Sequence, residues 1–181
     1  MLRKLGIFER ALNLSDQHSP FNVVTVLRLE NTPPPEVLKS ALRTLQYRQP
    51  LMRARIEDGA NKEREESALD FTKLERRCDS HWLEIVEIEM NTWLDPSTGL
   101  FRGAYLFDDG DGRAELVLTF HHATSDAASG VNLLDELLQT CAWGEDFPAL
   151  ELLPPVEKRF PPAYKGWRGR TATIAYAARQ V

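Results

Sequence analysis

Between Phe21 and Glu30, apolar and polar positions alternate. Phe21, Val23, Thr25, Leu27 and Leu29 fall on one side of an extended segment rich in β-branched residues, which predicts a strand. After Pro33, Pro34 and Pro35 the period changes. Val37, Leu38, Ala41, Leu42 and Leu45 recur at helical spacing, and Pro50 ends the helix. Pro35 suits the first helical turn, where its missing N–H costs nothing. Leu51–Ile56 and Trp82–Glu89 read as further short strands. Leu100–Phe107 and Arg113–Phe120 are strand-like runs joined by the Asp108–Gly112 turn, with Ala114, Leu116, Leu118 and Phe120 on one face. Val131, Leu134, Leu138 and Cys141 then form a helical stripe running to about Trp143, with Ser125 and Asp126 as candidate N-caps. The expectation is an α/β fold: a mixed, partly antiparallel sheet with helices packed on it.

Composition narrows the class. The chain has 181 residues, which is one domain by length. Apolar residues make up 43% and the net charge is −5, so a packed core is expected and disorder is not. Two cysteines, Cys78 and Cys141, cannot form a disulfide scaffold, and reduced thiols are expected. No run of about 18 apolar residues suggests a membrane span. Met1–Arg10 lacks the apolar stretch of a signal peptide, so a cytoplasmic location is expected.

Charge is uneven. Lys158–Val181 contains six basic residues (Lys158, Arg159, Lys165, Arg168, Arg170 and Arg179) and no acid. They are spaced rather than clustered as a phosphate grip requires, so this segment reads as packing on the acidic body or leading into further chain. Pro148, Pro154, Pro155, Pro161 and Pro162 mark an extended linker. Glu57–Arg77 is dense in mixed charge and reads as a solvated loop and a strand edge. The four tryptophans form no regular stripe, and Cys141 reads as packing. There is no Gly-rich phosphate loop and no nucleic-acid motif.

The chemistry concentrates in Phe120-His121-His122-Ala123-Thr124-Ser125-Asp126, where a buried strand ends. Adjacent side chains there point to opposite sides, so the two histidines take different roles. Three readings follow from the residues. His121, His122 and Asp126, with His18 or His81, could hold a metal, although the spacing is poor for it. The histidines could be hydrogen-bonded groups at a strand end, with Asp126 a helix cap. One histidine could be a general base, since imidazole titrates near neutral pH.

The segment resembles the HHxxxD motif of the chloramphenicol-acetyltransferase-like superfamily, which includes peptide-synthetase condensation domains, alcohol acetyltransferases and polyketide-associated acyltransferases. The likeness extends to Ala41, Leu42, Leu45, Arg48, Pro50, Leu51, Arg53, Ala54 and Ile56, to Leu100-Phe101-Arg102, and to the helix after the motif. It runs from about Phe21 to Trp143. The resemblance implies that His122 is the general base, that His121 supports it, and that Asp126 is structural and paired with an arginine, for which Arg10 and Arg102 are candidates. It implies no metal and no bound cofactor, with acyl-CoA or a phosphopantetheine thioester as co-substrate. Ala127 stands where glycine is common, which places a Cβ near the thioester path; Gly130 follows.

Family members are about twice this long and built of two halves. This chain resembles the N-terminal half, with residues 1–146 as the half-domain and 147–181 as the start of the crossover. The activity implied is acyl transfer to a hydroxyl or amine, with O-acylation from acyl-CoA favoured. The alternatives are an amide-forming condensation domain fragment and a non-catalytic binding or assembly module. An isolated half would expose its inter-half face, so a C-terminal half or a second copy is expected to complete the tunnel. No nucleic-acid partner is expected.

Overall fold

A computed structural model describes residues 2–64, 69–108, 112–144, 148–161 and 169. Its elements are β1 (Arg3–Lys4), α1 (Ile7–Asp16), β2 (Asn22–Glu30), α2 (Pro35–Arg48), a 3₁₀ turn (Pro50–Arg53), β3 (Ala54–Glu57), β4 (Ala60–Glu63), β5 (Phe71–Glu75), α3 (His81–Asn91), β6 (Phe101–Phe107), β7 (Arg113–His121), α4 (Ala127–Trp143) and α5 (Val156–Arg159). The main sheet has the order β2-β7-β6-β5. All its neighbours are antiparallel except β5 and β6. A small antiparallel sheet, β1-β4-β3, lies apart. The mixed α/β architecture expected from the sequence is present.

Strand alternation sets the layers. On β7, Leu116, Leu118 and Phe120 face one way and join Leu38, Leu42 and Leu45 of α2 and Leu133, Leu134 and Leu137 of α4 in the largest apolar cluster. Val117 faces the other way, into a smaller cluster with Leu106, Trp82, Ile85 and Val86. The sheet is therefore covered on both faces, by α2 and α4 on one and by α3 on the other.

Trp82–Glu89 is helical, not a strand. Trp82, Ile85 and Val86 reach the sheet at i, i+3 and i+4, whereas Leu83 and Ile88 stay exposed. A short apolar–acidic run fits both periods, and topology decides between them. Parallel strands β5 and β6 need a crossover between them, and α3 supplies it. The Leu51–Ile56 strand begins only at Ala54, because Pro50–Arg53 forms the 3₁₀ turn. Within the mixed-charge stretch, Asp58 and Gly59 both have positive φ, at 52° and 67°. They form the tight turn of the β3–β4 hairpin, an Asp-Gly signal that the charge density obscures. The pattern analysis does not predict α1. The Glu9 carboxylate closes the first turn of that helix by accepting the Gly6 N–H at 2.7 Å.

The α4 stripe is shifted in phase. Gly130, Leu133, Leu134, Leu137 and Thr140 are buried and Cys141 partly so, whereas Val131 and Leu138 are exposed. The close approach of α4 to β2 sets the phase. A Cβ on Gly130 would lie 2.5 Å from Thr25 Cγ2. Gly130→Ala is expected to lower stability by about 1 kcal/mol, as overpacking of roughly 1–3 kcal/mol is partly offset by about 1 kcal/mol of helix propensity. Adding Thr25→Ser, which removes that methyl group, is expected to restore most of the loss. Urea denaturation of the single and double variants checks this, and equal losses in both would place the strain elsewhere.

Residues 148–155 run without helix or strand. Arg48 holds this segment twice: its Nη1 donates to the Pro148 carbonyl at 2.8 Å, and its carbonyl accepts the Leu150 N–H at 2.9 Å. Beyond it, the Glu157 carboxylate accepts the Ile7 N–H at 2.6 Å, tying α5 to the start of α1. The expected turn at Asp109–Asp111, and Lys165, Trp167, Arg168, Arg170 and Arg179 of the basic segment, lie outside the described residues.

Candidate active site

β7 ends at His121, beside Asn22 of β2, and the chain turns through residues 122–126 into α4. By alternation Phe120 faces α2 and α4, and His121 faces away from them. His121 is fully buried. Its Nδ1 accepts the Ala123 N–H at 3.2 Å, so in the neutral ring the proton sits on Nε2. That Nε2 lies 3.4 Å from Asp16 Oδ2, facing it but too far for a well-formed hydrogen bond. Burial pulls the His121 pKa below its ordinary value, and the nearby Asp16 carboxylate only partly offsets this. His121 is therefore a neutral, structurally engaged imidazole at neutral pH.

His122 is placed differently. Its N–H donates to the Phe21 carbonyl at 3.2 Å. Its ring is tilted on the Phe21 ring, with centroids 4.7 Å apart. The side chain is half-buried, and Nδ1 is buried with no hydrogen-bond partner among the described residues. The ring is partly accessible, and Nδ1 is on its buried edge. The two histidines have the divergent environments that adjacency demands.

Asp126 caps α4. Its Oδ1 accepts the Ser129 N–H at 2.8 Å and the Ser129 hydroxyl at 2.6 Å. These bonds hold its carboxyl below the usual range, and the His122 ring adds a small contribution in the same direction. Neither candidate arginine is placed against Asp126 among the described residues. Arg102 pairs with Glu89 at 2.5 Å, and the Arg10 guanidinium lies beside Gly59. Asp126 is also exposed, so its loss removes a cap rather than breaking a buried pair. Asp126→Ala is expected to cost about 1 kcal/mol. Because the folded-state pKa is depressed, that contribution is present above the unfolded carboxylate's pKa and disappears as pH falls through the folded value. Thermal melts of both proteins, at neutral pH and well below the carboxylate range, should differ at the first and converge at the second. Ala127 sits exposed in the first turn of α4, and Gly130 makes the close approach to Thr25.

The remaining histidines do not join the pair. His81 faces Arg77, and His18 Nδ1 lies 3.2 Å from the Leu14 carbonyl. Asp16 is a site residue that sequence reasoning misses. It is buried at the end of α1, and no motif marks it.

A cavity of about 600 Å³ adjoins the motif loop. Met52, Phe101, Phe120 and Leu133 form an apolar wall, Thr124, Ser125 and Ser129 a polar edge, and Leu152 and Leu153 of the extended segment another side. Neither histidine lines it. It meets the motif two residues beyond His122.

No family model and no curated protein sequence matches the chain. Solved structures do. The starter condensation domain of rhizomide synthetase superposes on 87% of this chain and 42% of its own, with a TM-score of 0.68 and 16% identity. The chain has the condensation-domain fold, over part of its length. Polyketide synthase associated protein 5 from Mycobacterium tuberculosis matches 83% of this chain and 36% of its own, with a TM-score of 0.58 and 20% identity. A four-domain nonribosomal peptide synthetase bound to AMP and glycine matches 83% of this chain and 12% of its own, with a TM-score of 0.67 and 15% identity. A variant of the rhizomide starter domain is known in complex with C8-CoA. The chain spans about two fifths of the length of the starter condensation domain. That proportion agrees with the half-length resemblance read from the motifs.

Proposed function

We propose that this chain is one lobe of a histidine-dependent acyltransferase of the condensation-domain fold. The observation that carries the reading is His122. Its backbone N–H is held by the Phe21 carbonyl, its ring packs on Phe21, Nδ1 is buried, and the side chain as a whole is half-buried just past the end of β7. His122 Nε2 takes the proton of an acceptor hydroxyl or amine as the acceptor oxygen or nitrogen attacks a thioester carbonyl. The new C–O or C–N bond forms, the C–S bond breaks, and the departing thiolate takes the proton back from the imidazolium. No acyl-enzyme is required, because the acyl group arrives already activated.

The donor is acyl-CoA or a phosphopantetheine thioester, in keeping with the C8-CoA complex of the rhizomide starter domain. O-acylation from acyl-CoA is favoured over amide formation. The apolar wall of the 600 Å³ cavity, next to the motif loop, suits the acyl group. Residues 1–146 form the lobe and 147–181 begin the crossover to a second one, supplied by a C-terminal half or by another copy of this chain.

The test is acceptor-dependent thiol release from acyl-CoAs of short and long chain, with light scattering on the same sample. Release together with a dimer supports a site completed by a second copy. Release restored only when a C-terminal lobe is added supports the two-half reading. No release in either case leaves a binding or assembly module.

A further inference from the structure

Asp16 is a buried carboxylate that faces His121 directly and reaches His122 only through Phe21. One carboxylate oxygen, Oδ1, accepts the Phe21 N–H at 2.8 Å. The other, Oδ2, faces His121 Nε2 at 3.4 Å. Phe21 in turn accepts the His122 N–H on its carbonyl and packs its ring on the His122 imidazole. The contacts close a ring: Asp16 to His121, one peptide bond to His122, His122 to Phe21, and Phe21 back to Asp16. The Asp16 carbonyl also accepts the Trp93 indole N–H at 2.7 Å, which anchors the end of α1 to the segment after α3.

We infer that Asp16 is a positioning residue: it holds His121 in the Nε2–H tautomer and, through Phe21, sets the orientation of His122. This rests on the acyl-transfer reading for its kinetic consequence, but not for its structural one. The chemistry requires a carboxylate. The Phe21 N–H donates to one oxygen, the protonated His121 Nε2 edge faces the other at 3.4 Å, and the site is nearly closed to water. An ionised carboxylate offers an acceptor to each. An amide in the same place offers one acceptor and one donor. If that amide gave its oxygen to Phe21, its NH₂ would face the His121 Nε2–H. The ring would then have to place its proton on Nδ1, where the Ala123 N–H already points. Either the Phe21 N–H loses its acceptor, and an unpaired buried donor is costly, or the His121 Nε2–H loses the acceptor oxygen that faces it.

The experiment is Asp16→Asn in the full chain, alone and combined with His121→Ala. Long-range ¹H–¹⁵N spectra of the imidazoles are recorded together with acyl transfer. In the parent protein His121 is expected to show a protonated Nε2 and a bare Nδ1 at neutral pH. In Asp16→Asn that tautomer signature and the Phe21–His122 ring contact in NOE spectra are expected to be lost. kcat should fall about 10-fold while KM changes little, and the kinetic loss should shrink when His121 is already alanine. The inference is overturned if His121 keeps its tautomer and the ring contact persists. It is also overturned if the kcat loss is the same in both backgrounds, since Asp16 would then act only on α1. If neither protein transfers acyl groups, the acyl-transfer reading fails, and the spectra still decide whether Asp16 sets the two rings.

Discussion

His122→Ala is expected to leave the fold intact and to lower acceptor-dependent thiol release by about 10²–10⁴-fold, the range for losing a positioned general base. The two histidines should separate cleanly. The His122 ring is half-buried, packs on one aromatic ring, and donates to no other side chain among the described residues. Truncating it removes little packing. His121 is fully buried and lies between the Ala123 N–H and Asp16. Truncating it opens a cavity beside a buried carboxylate, so His121→Ala should lose stability as well as activity. Melting temperature and thiol release, measured on both variants, distinguish a base from a structural imidazole. An unchanged rate in His122→Ala, with the parent active, would move the base elsewhere.

Glu115→Ala is expected to cause the largest loss of stability, about 3–5 kcal/mol, the range for breaking a buried ion pair by removing one member. Glu115 lies on the α3 side of β7, opposite Leu106 of β6. Arg76, just after β5, reaches across and donates Nε to Glu115 Oε2 at 2.9 Å. The two side chains are only 4% and 2% exposed. The pair therefore links the end of the parallel strand to the central strand of the sheet. Asp79, at 2.6 Å from Arg76 Nη2, is too exposed to replace Glu115. Glu115 also lies 3.7 Å from Arg28 Nε, so its loss removes a buried carboxylate that faces two guanidinium groups. Arg76→Leu combined with Glu115→Leu is expected to recover most of the loss, because desolvation offsets much of what such a pair contributes. Urea denaturation of the single and double variants tests this. If Glu115→Ala cost under about 1 kcal/mol, the pair would be behaving like a surface salt bridge.

Much of the framework is legible because strong periodicity and strong punctuation coincide. The alternation in Phe21–Glu30, the proline-led helix from Pro35 and the paired strands ahead of the motif all appear as β2, α2, β6 and β7. Asp126 reads as a candidate N-cap, and it caps α4. The divergence of His121 and His122 follows from adjacency at a strand end, and their environments differ as that requires.

Where local pattern is ambiguous, only packing can decide. Trp82–Glu89 fits a strand or a helix by its residues, and it is a helix because β5 and β6 run parallel and must be joined across the sheet. The phase of α4 follows from Gly130 meeting Thr25, a contact between elements about 100 residues apart in sequence that no local window contains. The resemblance implies an arginine partner for Asp126, but Arg102 is already engaged by Glu89.

Local pattern is enough to identify the sheet's principal strands, the helix that follows the motif, and two adjacent histidines that must face different surroundings. Short-range periodicity and a strand's two-residue repeat suffice for these. Tertiary structure alone decided which buried carboxylate meets His121, which aromatic ring steadies His122, and where the cavity opens beside the loop. Asp16 and Phe21 lie far upstream of the histidines they meet, and the cavity wall joins Met52, Phe101, Phe120 and Leu133, so these contacts form only once the sheet has assembled and the helices have docked on it.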